Sequence, residues 1–194
     1  MLRKRSTIIY MDSLVQITDI IPSAKLDLRY ATTNNITGRV LYPEAKAFLV
    51  PDAAMALKKV HMDLGSRGLG IMVWDAYRPL SVTHALYNAT PESQKHYVAD
   101  PEEGSRHNRG TTIDQTLFNL ASGQPLKMPT DFDDFSEHAS PNFDEPDQER
   151  RRNRDLLIGQ MEKHGFIVNE HEWWHYDWHE WADYPVLDTP IEEL

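Results

Sequence analysis

The sequence predicts a single α+β domain in which a mostly antiparallel central sheet is flanked by helices. The chain has 194 residues and no cysteine, and this length is enough to bury a core without disulfides. Strand-like alternation and helical periodicity both occur, but they do not alternate regularly as they do in parallel βαβ folds. No repeat or Pro/Gly/Ser-rich linker divides the chain.

The N-terminus is expected to lie outside this domain. Residues 1–23 form an extension and lead-in, of which residues 1–11 are loose, and residues 24–194 form the domain. The chain opens with basic residues, as a signal peptide does, but its apolar run stops at Asp12. That run is shorter than the ~7–15-residue apolar core of a signal peptide, so a cytoplasmic location is expected.

The first elements of the domain are a strand and a helix. Leu26, Leu28 and Tyr30 alternate with charged residues, which is typical of a half-buried strand. Pro51 suits the first turn of a helix and Gly65 suits its end, and apolar residues recur between them at helical spacing.

Two further strands are predicted in the middle of the chain. Leu69–Trp74 is apolar enough for a buried strand, and beyond it Pro79 forces Arg78 into an extended conformation. Thr111–Phe118 is the second candidate, and it ends in a turn at Ser122–Gly123.

The C-terminal part begins with a polar loop, residues 127–147, followed by a helix from Arg150 to His164 that Gly165 terminates. Phe166–Val168 and the aromatic-rich stretch Trp173–Trp178 favour strands.

Charge and hydropathy exclude two classes of partner. The 20 basic and 30 acidic residues give a formal net charge of -10, which argues against binding to nucleic acid or to an anionic membrane. No stretch approaches the ~20 apolar residues that a membrane-spanning helix needs. The sequence does not reveal the oligomeric state.

Two short segments, Ser105–Asp114 and Glu172–His175, carry residues that are able to bind a metal ion. His107, Asp114 and His175 together offer two imidazoles and one carboxylate. A catalytic zinc centre uses three protein ligands and one open position, whereas structural zinc sites are closed by four ligands, usually with cysteine. Because the chain has no cysteine, the pattern predicts a catalytic zinc site in a cleft, and hence a hydrolase.

The stretch His171–His175 also satisfies the H-E-x-x-H pattern of zinc proteases, but that interpretation is rejected. The pattern requires a helix, whereas Trp173 and Trp174 favour a strand. It also requires a third ligand well downstream, and only 19 residues follow His175. His171 is therefore expected to be solvated or to lie just outside the site.

Glu172 is the candidate general base. Positions three apart on a regular strand face opposite ways, so Glu172 and His175 can share a site only if a bulge or loop separates them. On local grounds alone, His107 and Asp114 are also compatible with a surface loop and a turn cap. The two segments taken together favour the metal site.

Residues 24–181 resemble the VanX-type D-alanyl-D-alanine dipeptidases, zinc enzymes of the wider D-alanyl-D-alanine metallopeptidase group. The main shared segments, which occur in the same order, are Asp27–Thr32, Asn35–Gly38, Trp74–Pro79, Ser105–Asp114 and Glu172–His175.

The resemblance implies one zinc ion per chain and a role for each of five residues. It makes His107, Asp114 and His175 the zinc ligands. It makes Glu172 the catalytic base and Arg78 the group that stabilises the transition state.

The resemblance also implies that Tyr30, Ser105 and Asp133 line the pocket for the substrate's amino terminus. From the residues alone, Tyr30 is equally compatible with a core position, Ser105 with a loop and Asp133 with an ordinary acidic loop. The departures from the family pattern, none of them at a proposed ligand, are Asn108, Thr112, Gln115 and Pro129.

The expected function is zinc-dependent hydrolysis of D-Ala-D-Ala or a closely related D,D-dipeptide, in cell-wall precursor turnover or in glycopeptide resistance. One alternative is a carboxypeptidase or endopeptidase that acts on peptidoglycan stem peptides. Another is a non-catalytic zinc-containing domain that binds peptides. Glu172 and Arg78 argue against the last alternative, because a binding site needs neither a base nor an oxyanion partner.

Overall fold

The computed structural model describes residues 14–194, so the predicted loose extension of residues 1–11 lies outside the described part of the chain. Within residues 14–194 the chain forms seven strands and four α-helices. In chain order these are β1 (Val15–Gln16), α1 (Ile17–Ile20), β2 (Lys25–Leu26), β3 (Phe48–Leu49), α2 (Pro51–Gly65), β4 (Leu69–Asp75), α3 (Leu80–Ala89), β5 (Thr112–Asn119), α4 (Gln148–Lys163), β6 (Phe166–Val168) and β7 (His175–Trp178).

A five-stranded sheet in the order β2-β4-β5-β7-β6 forms the centre of the fold. β2 runs parallel to β4, and the other three neighbouring pairs are antiparallel. β1 and β3 form a separate antiparallel ribbon. Helices α2 and α4 pack against the sheet and against each other. The predicted α+β fold with a mostly antiparallel sheet is therefore confirmed.

The two predicted helices form where the sequence places them. α2 begins at Pro51, whose missing N–H costs nothing in a first turn, and it buries Leu57, Val60 and Leu64. α4 begins after Asp147, whose carboxylate accepts two N–H groups of the first turn. Among the described residues, no helix is long and apolar enough to cross a membrane.

The strand predicted from the alternation of Leu26, Leu28 and Tyr30 is shorter than expected. β2 ends at Leu26, and Arg29–Ala31 form a 3-10 turn. The Tyr30 carbonyl accepts the N–H groups of Leu41 and Tyr42. This stretch therefore bonds to a neighbouring loop and not to a strand of the sheet. The turn buries the side chain of Tyr30.

α3 is not predicted from the sequence. Its buried residues are Thr83 and Leu86, so its apolar periodicity is weak. Its first turn is held by the Asp188 carboxylate, which accepts the Ser81 N–H at 2.7 Å. This helix start therefore depends on a contact between distant parts of the chain.

The segment predicted as a lead-in is described from residue 14 onwards. It contributes β1 and α1, and the side chains of Ile17 and Ile21 are buried in the core. The division of the chain at residue 24 stays a prediction.

The sheet brings three polar residues into a row across adjacent strands. Asp75, at the end of β4, is paired with Asp114 on β5, and Asp114 is paired with His175 on β7. The register of β4 shifts between Val73 and Asp75, which bends the strand at this end. Because opposed residues on neighbouring strands have Cβ atoms about 4.5–5.5 Å apart, these side chains can share one site.

Candidate metal centre and active site

A short turn before β5 positions His107. Ser105 caps this 3-10 turn: its Oγ accepts the His107 N–H at 3.2 Å, and its own N–H donates to Asn108 Oδ1 at 2.6 Å. Gly110 ends the turn with a φ of 67°. This left-handed backbone favours glycine, and a Cβ at the position would in addition displace the end of the Leu14 side chain.

His107, Asp114 and His175 come together as the sequence predicts. His107 Nε2 lies 3.2 Å from Asp114 Oδ2, and His175 Nδ1 lies 3.1 Å from Asp114 Oδ1. The two imidazole nitrogens, Nε2 of His107 and Nδ1 of His175, are 3.3 Å apart. All three side chains are largely enclosed by the protein.

The hydrogen bonds on the far side of each ring make this cluster a good fit for a metal ion. His107 Nδ1 lies 2.7 Å from the Ala76 carbonyl oxygen, which can only accept, so this nitrogen carries the proton. His175 Nε2 lies 3.2 Å from Asp177 Oδ1, which assigns its proton in the same way. In the neutral rings two nitrogen lone pairs and a carboxylate therefore face one point, and Asp114 Oδ1 has no hydrogen-bond partner. Nitrogen and oxygen donors of this kind suit zinc.

Without a metal ion, the carboxylates around His175 favour a positive charge on its imidazole ring. Burial lowers the pKa of His175, but the carboxylates of Asp177 and Asp114 outweigh burial and raise it well above the ordinary value. The two histidines also keep the pKa of Asp114 below its usual range, although burial opposes this. Metal binding at this cluster would therefore displace a proton.

Glu172 lies in the loop that its predicted role requires. Trp173 and Trp174 form a turn between Glu172 and β7, and Glu172 Oε2 comes within 3.4 Å of His175 Nδ1. Burial raises the pKa of Glu172. His171 is exposed and lies outside any helix, so the H-E-x-x-H pattern is coincidental here.

Arg78 is buried and held in a fixed orientation. Its Nε and Nη2 atoms donate to Asp75 Oδ2 at 2.9 and 2.7 Å, and Tyr42 Oη donates to Asp75 Oδ1 at 2.7 Å. Arg78 Nη2 lies 4.0 Å from Asp114 Oδ2. Burial lowers the pKa of Arg78, but Asp75 outweighs it and raises the pKa well above the ordinary value, so the guanidinium stays charged. The sequence alone assigned no role to Asp75 or Tyr42. The motif Asp-Ala-Tyr-Arg-Pro, which places Asp75 three residues before Arg78, is the signal that could have indicated Asp75.

Tyr30, Ser105 and Asp133 lie on the same cavity. Tyr30 Oη donates to Asp133 Oδ2 at 3.1 Å. Burial, together with the negative charge of Glu172, raises the pKa of Asp133 to about 8. Asp133 has a φ of 56°, in the left-handed region that aspartate tolerates better than most residues.

One cavity of about 250 Å³ contains all the residues that the sequence singles out. Its lining includes Tyr30, Arg78, Ser105, His107, Asp114, Asp133, Glu172 and His175. The sequence did not indicate that His96, Tyr97 and Phe135 also form its walls, where the rings of Tyr97 and Phe135 stack at 5.0 Å. These aromatic residues belong to no sequence motif, so no signal in the sequence indicated that they line the cavity.

Comparisons with known proteins show which family and which proteins this chain is similar to. The Peptidase_M15 family model, described as D-ala-D-ala dipeptidase, matches residues 11–192. The D-alanyl-D-alanine dipeptidase of Escherichia coli (strain K12) is 37% identical over 90% of this chain and 89% of its own length. The D-alanyl-D-alanine dipeptidase of Enterococcus faecalis (strain ATCC 700802 / V583) is 30% identical over 88% of this chain and 92% of its own length.

Among solved structures, the LdcB LD-carboxypeptidase has a TM-score of 0.47 and 18% identity to this chain. The match covers 68% of this chain and 59% of that one.

Proposed function

The chain belongs to the Peptidase_M15 family of D-Ala-D-Ala dipeptidases and is a peptidase, and from this premise we propose that it hydrolyses D-Ala-D-Ala, or a closely related D,D-dipeptide, with one zinc ion per chain. The observation that carries the proposal is the single cavity in which three candidate zinc ligands meet the partly buried carboxyl group of Glu172 and the buried guanidinium of Arg78.

His107, Asp114 and His175 would hold the zinc ion through Nε2, the carboxylate and Nδ1, which are the atoms that face one another. Three protein ligands leave room for water and substrate, as catalytic zinc sites require. When bound, zinc supplies a Lewis acid that polarises the scissile carbonyl and makes water more acidic.

Glu172 acts as the general base in this proposal. Its carboxylate accepts the proton of the attacking water and later delivers it to the departing amine. The proximity of Oε2 to His175 Nδ1, 3.4 Å, puts the base next to the metal-facing atoms. Because its pKa is raised, Glu172 is able to hold the proton between the two steps.

Arg78 stabilises the negative charge that develops on the carbonyl oxygen. Its bonds to Asp75 fix the guanidinium before substrate arrives, so no reorganisation is needed as the charge develops. Removal of one such donor commonly costs ~2.7–4 kcal/mol in the barrier.

Asp133, which accepts the Tyr30 hydroxyl and shares the cavity with Ser105, binds the amino terminus of the substrate. The raised pKa of Asp133 reflects a carboxylate that lacks enough positive charge in its surroundings, and a substrate ammonium would supply that charge. Recognition of a free amino terminus favours dipeptides over bonds inside a polymer, and the small cavity agrees with this preference.

The test is release of alanine from D-Ala-D-Ala by the purified protein, with and without a chelator and zinc add-back, and with L-Ala-L-Ala as the control. We expect zinc-dependent cleavage of the D,D-dipeptide alone. Glu172→Ala should keep its zinc and lose ~10²–10⁴ of the rate, because a general base contributes about that factor.

Two other outcomes would replace the proposal. Preferred turnover of a muropeptide would indicate a peptidoglycan stem-peptide carboxypeptidase or endopeptidase. Bound zinc without turnover of either substrate, with peptide affinity indifferent to Glu172→Ala, would indicate a peptide-binding domain. The cytoplasmic location stays a prediction.

A further inference from the structure

A second carboxylate lies directly behind one of the candidate zinc ligands. Asp177 is on β7, two residues after His175, and its side chain is 1% exposed. Its Oδ1 lies 3.2 Å from His175 Nε2, the ring nitrogen that faces away from the other candidate ligands. No motif in the sequence marks this aspartate.

Two further contacts fix the orientation of this carboxylate. Thr112 Oγ1 donates to Asp177 Oδ1 at 2.7 Å, and Arg106 Nη1 donates to Oδ2 at 2.5 Å. The Arg106 guanidinium in turn lies over the ring of Trp181, with Cζ 4.3 Å from the ring centroid. Each oxygen of Asp177 therefore has a donor of its own, and Oδ1 has a second one in His175.

The strand register makes this arrangement a continuation of the metal cluster. β5 and β7 pair Asp114 with His175 and, two residues away, Thr112 with Asp177. Residues two apart on a strand face the same side of the sheet, so these four side chains form adjacent pairs on one face. The first pair offers metal ligands, and the second pair fixes the ring of one of those ligands.

We infer that Asp177 is a positioning residue for the zinc ligand His175, with Thr112 and Arg106 holding its carboxylate in place. By accepting the Nε2–H, Asp177 fixes the ring orientation and leaves Nδ1 free to bind the metal. Partners of this kind orient metal-bound histidines and raise their basicity, and their loss typically weakens metal binding by ~10–100-fold. The inference rests on the proposed function, because it takes zinc as the ligand of this cluster.

The experiment measures the zinc dissociation constant by competition with a chelator, for the wild type, Asp177→Ala, Asp177→Asn and Arg106→Ala. Asp177→Ala should bind zinc ~10–100-fold more weakly than the wild type. Asp177→Asn should recover much of the affinity, because an amide oxygen still accepts the Nε2–H. Arg106→Ala should lose less than Asp177→Ala, because Thr112 still holds the carboxylate against His175.

The melting temperature of each metal-free variant separates positioning from a purely structural ion pair. If Asp177 serves only to pair with Arg106, both alanine variants should lower the melting temperature while zinc affinity stays within about twofold of the wild type. That result would overturn the inference and leave the proposed function intact. A wild type that binds zinc at no measurable affinity would overturn both. If Asp177→Ala does not fold, Asp177→Leu takes its place, because leucine keeps most of the side-chain volume but cannot accept the His175 Nε2–H. A zinc affinity equal to the wild type in that variant would overturn the inference.

Discussion

Asp133→Asn should make the metal-free protein more stable, and the gain should grow with pH. The folded protein raises the pKa of Asp133 to about 8, whereas an unfolded aspartate titrates near ~3.9. The folded protein therefore retains a proton that the unfolded chain releases. As the pH rises from about 4 to about 8, the folded state loses stability relative to the unfolded state, and asparagine removes that loss.

The size of the effect follows from the difference in pKa. Four pH units at 1.36 kcal/mol each correspond to ~5 kcal/mol in the limit of high pH. Asp133 keeps part of its surface in contact with solvent in the cavity, and solvent screening reduces this value. We therefore expect a gain of about 1–3 kcal/mol at pH 8 and almost none below pH 4. Asparagine tolerates the left-handed backbone of this position, so the substitution adds no strain.

The assay is urea unfolding in the presence of a chelator at pH 5, 6, 7 and 8, followed by tryptophan fluorescence. The quantity of interest is the difference in unfolding free energy between Asp133→Asn and the wild type at each pH. Asp134→Asn is the matched control, because this aspartate is in the same loop, forms no ion pair among the described residues, and accepts the Ser136 N–H at 3.0 Å, as an amide oxygen also can. Surface substitutions of that kind usually change stability by less than ~0.5 kcal/mol.

A difference that is the same at every pH, or a variant that is less stable than the wild type at pH 8, would refute the reasoning. The first result would mean that Asp133 is ionised in the folded protein throughout this range. The second would mean that the carboxylate makes contacts that an amide cannot replace.

Three further predictions concern the metal, the oxyanion and the turn. His107→Ala should abolish stoichiometric zinc binding and dipeptide hydrolysis together, measured by metal analysis and alanine release; a fully active variant would exclude His107 as a ligand. Arg78→Lys should lower kcat by ~10²–10³ with zinc still bound, because a single ammonium cannot reproduce the fixed guanidinium; an unchanged kcat would remove Arg78 from the mechanism. Gly110→Ala should destabilise the protein by ~1–3 kcal/mol, because alanine is strained in this left-handed backbone and its methyl group would displace the Leu14 side chain; an unchanged melting temperature would contradict this.

The sequence predicted those elements whose stability is local. Apolar spacing between Pro51 and Gly65 is enough to place α2, because helix periodicity and end signals lie within one segment. α3 was not predicted, because its first turn is stabilised by Asp188, which lies far along the chain. The strand predicted over Leu26–Tyr30 is shorter than expected for a related reason, since the Tyr30 carbonyl accepts the N–H groups of Leu41 and Tyr42, which lie outside the segment that suggested the strand.

The candidate site was predictable to the extent that residues with distinctive chemistry lie in short motifs. The positions of His107 and Glu172 follow from such motifs. Asp75 lies in such a motif, Asp-Ala-Tyr-Arg-Pro, but only its contacts show that it orients Arg78. Asp177 lies in no motif, because its importance comes from the side chains that it contacts. Asp177 meets Thr112 only through the register of β5 and β7, and a register between strands so far apart in the chain cannot be derived from either strand alone.

The candidate metal cluster and the proposed substrate pocket depend on different kinds of structure. Asp114 and His175 project from paired strands, where the sheet fixes their separation. Asp133 lies in a loop, with a left-handed backbone and a carboxyl group whose ionisation costs stability. Natural proteins keep such costs where function requires them, because selection acts on stability only as a threshold. Substitutions in the loop should therefore change substrate preference while zinc affinity is retained, whereas changes to the paired strands should weaken zinc binding first.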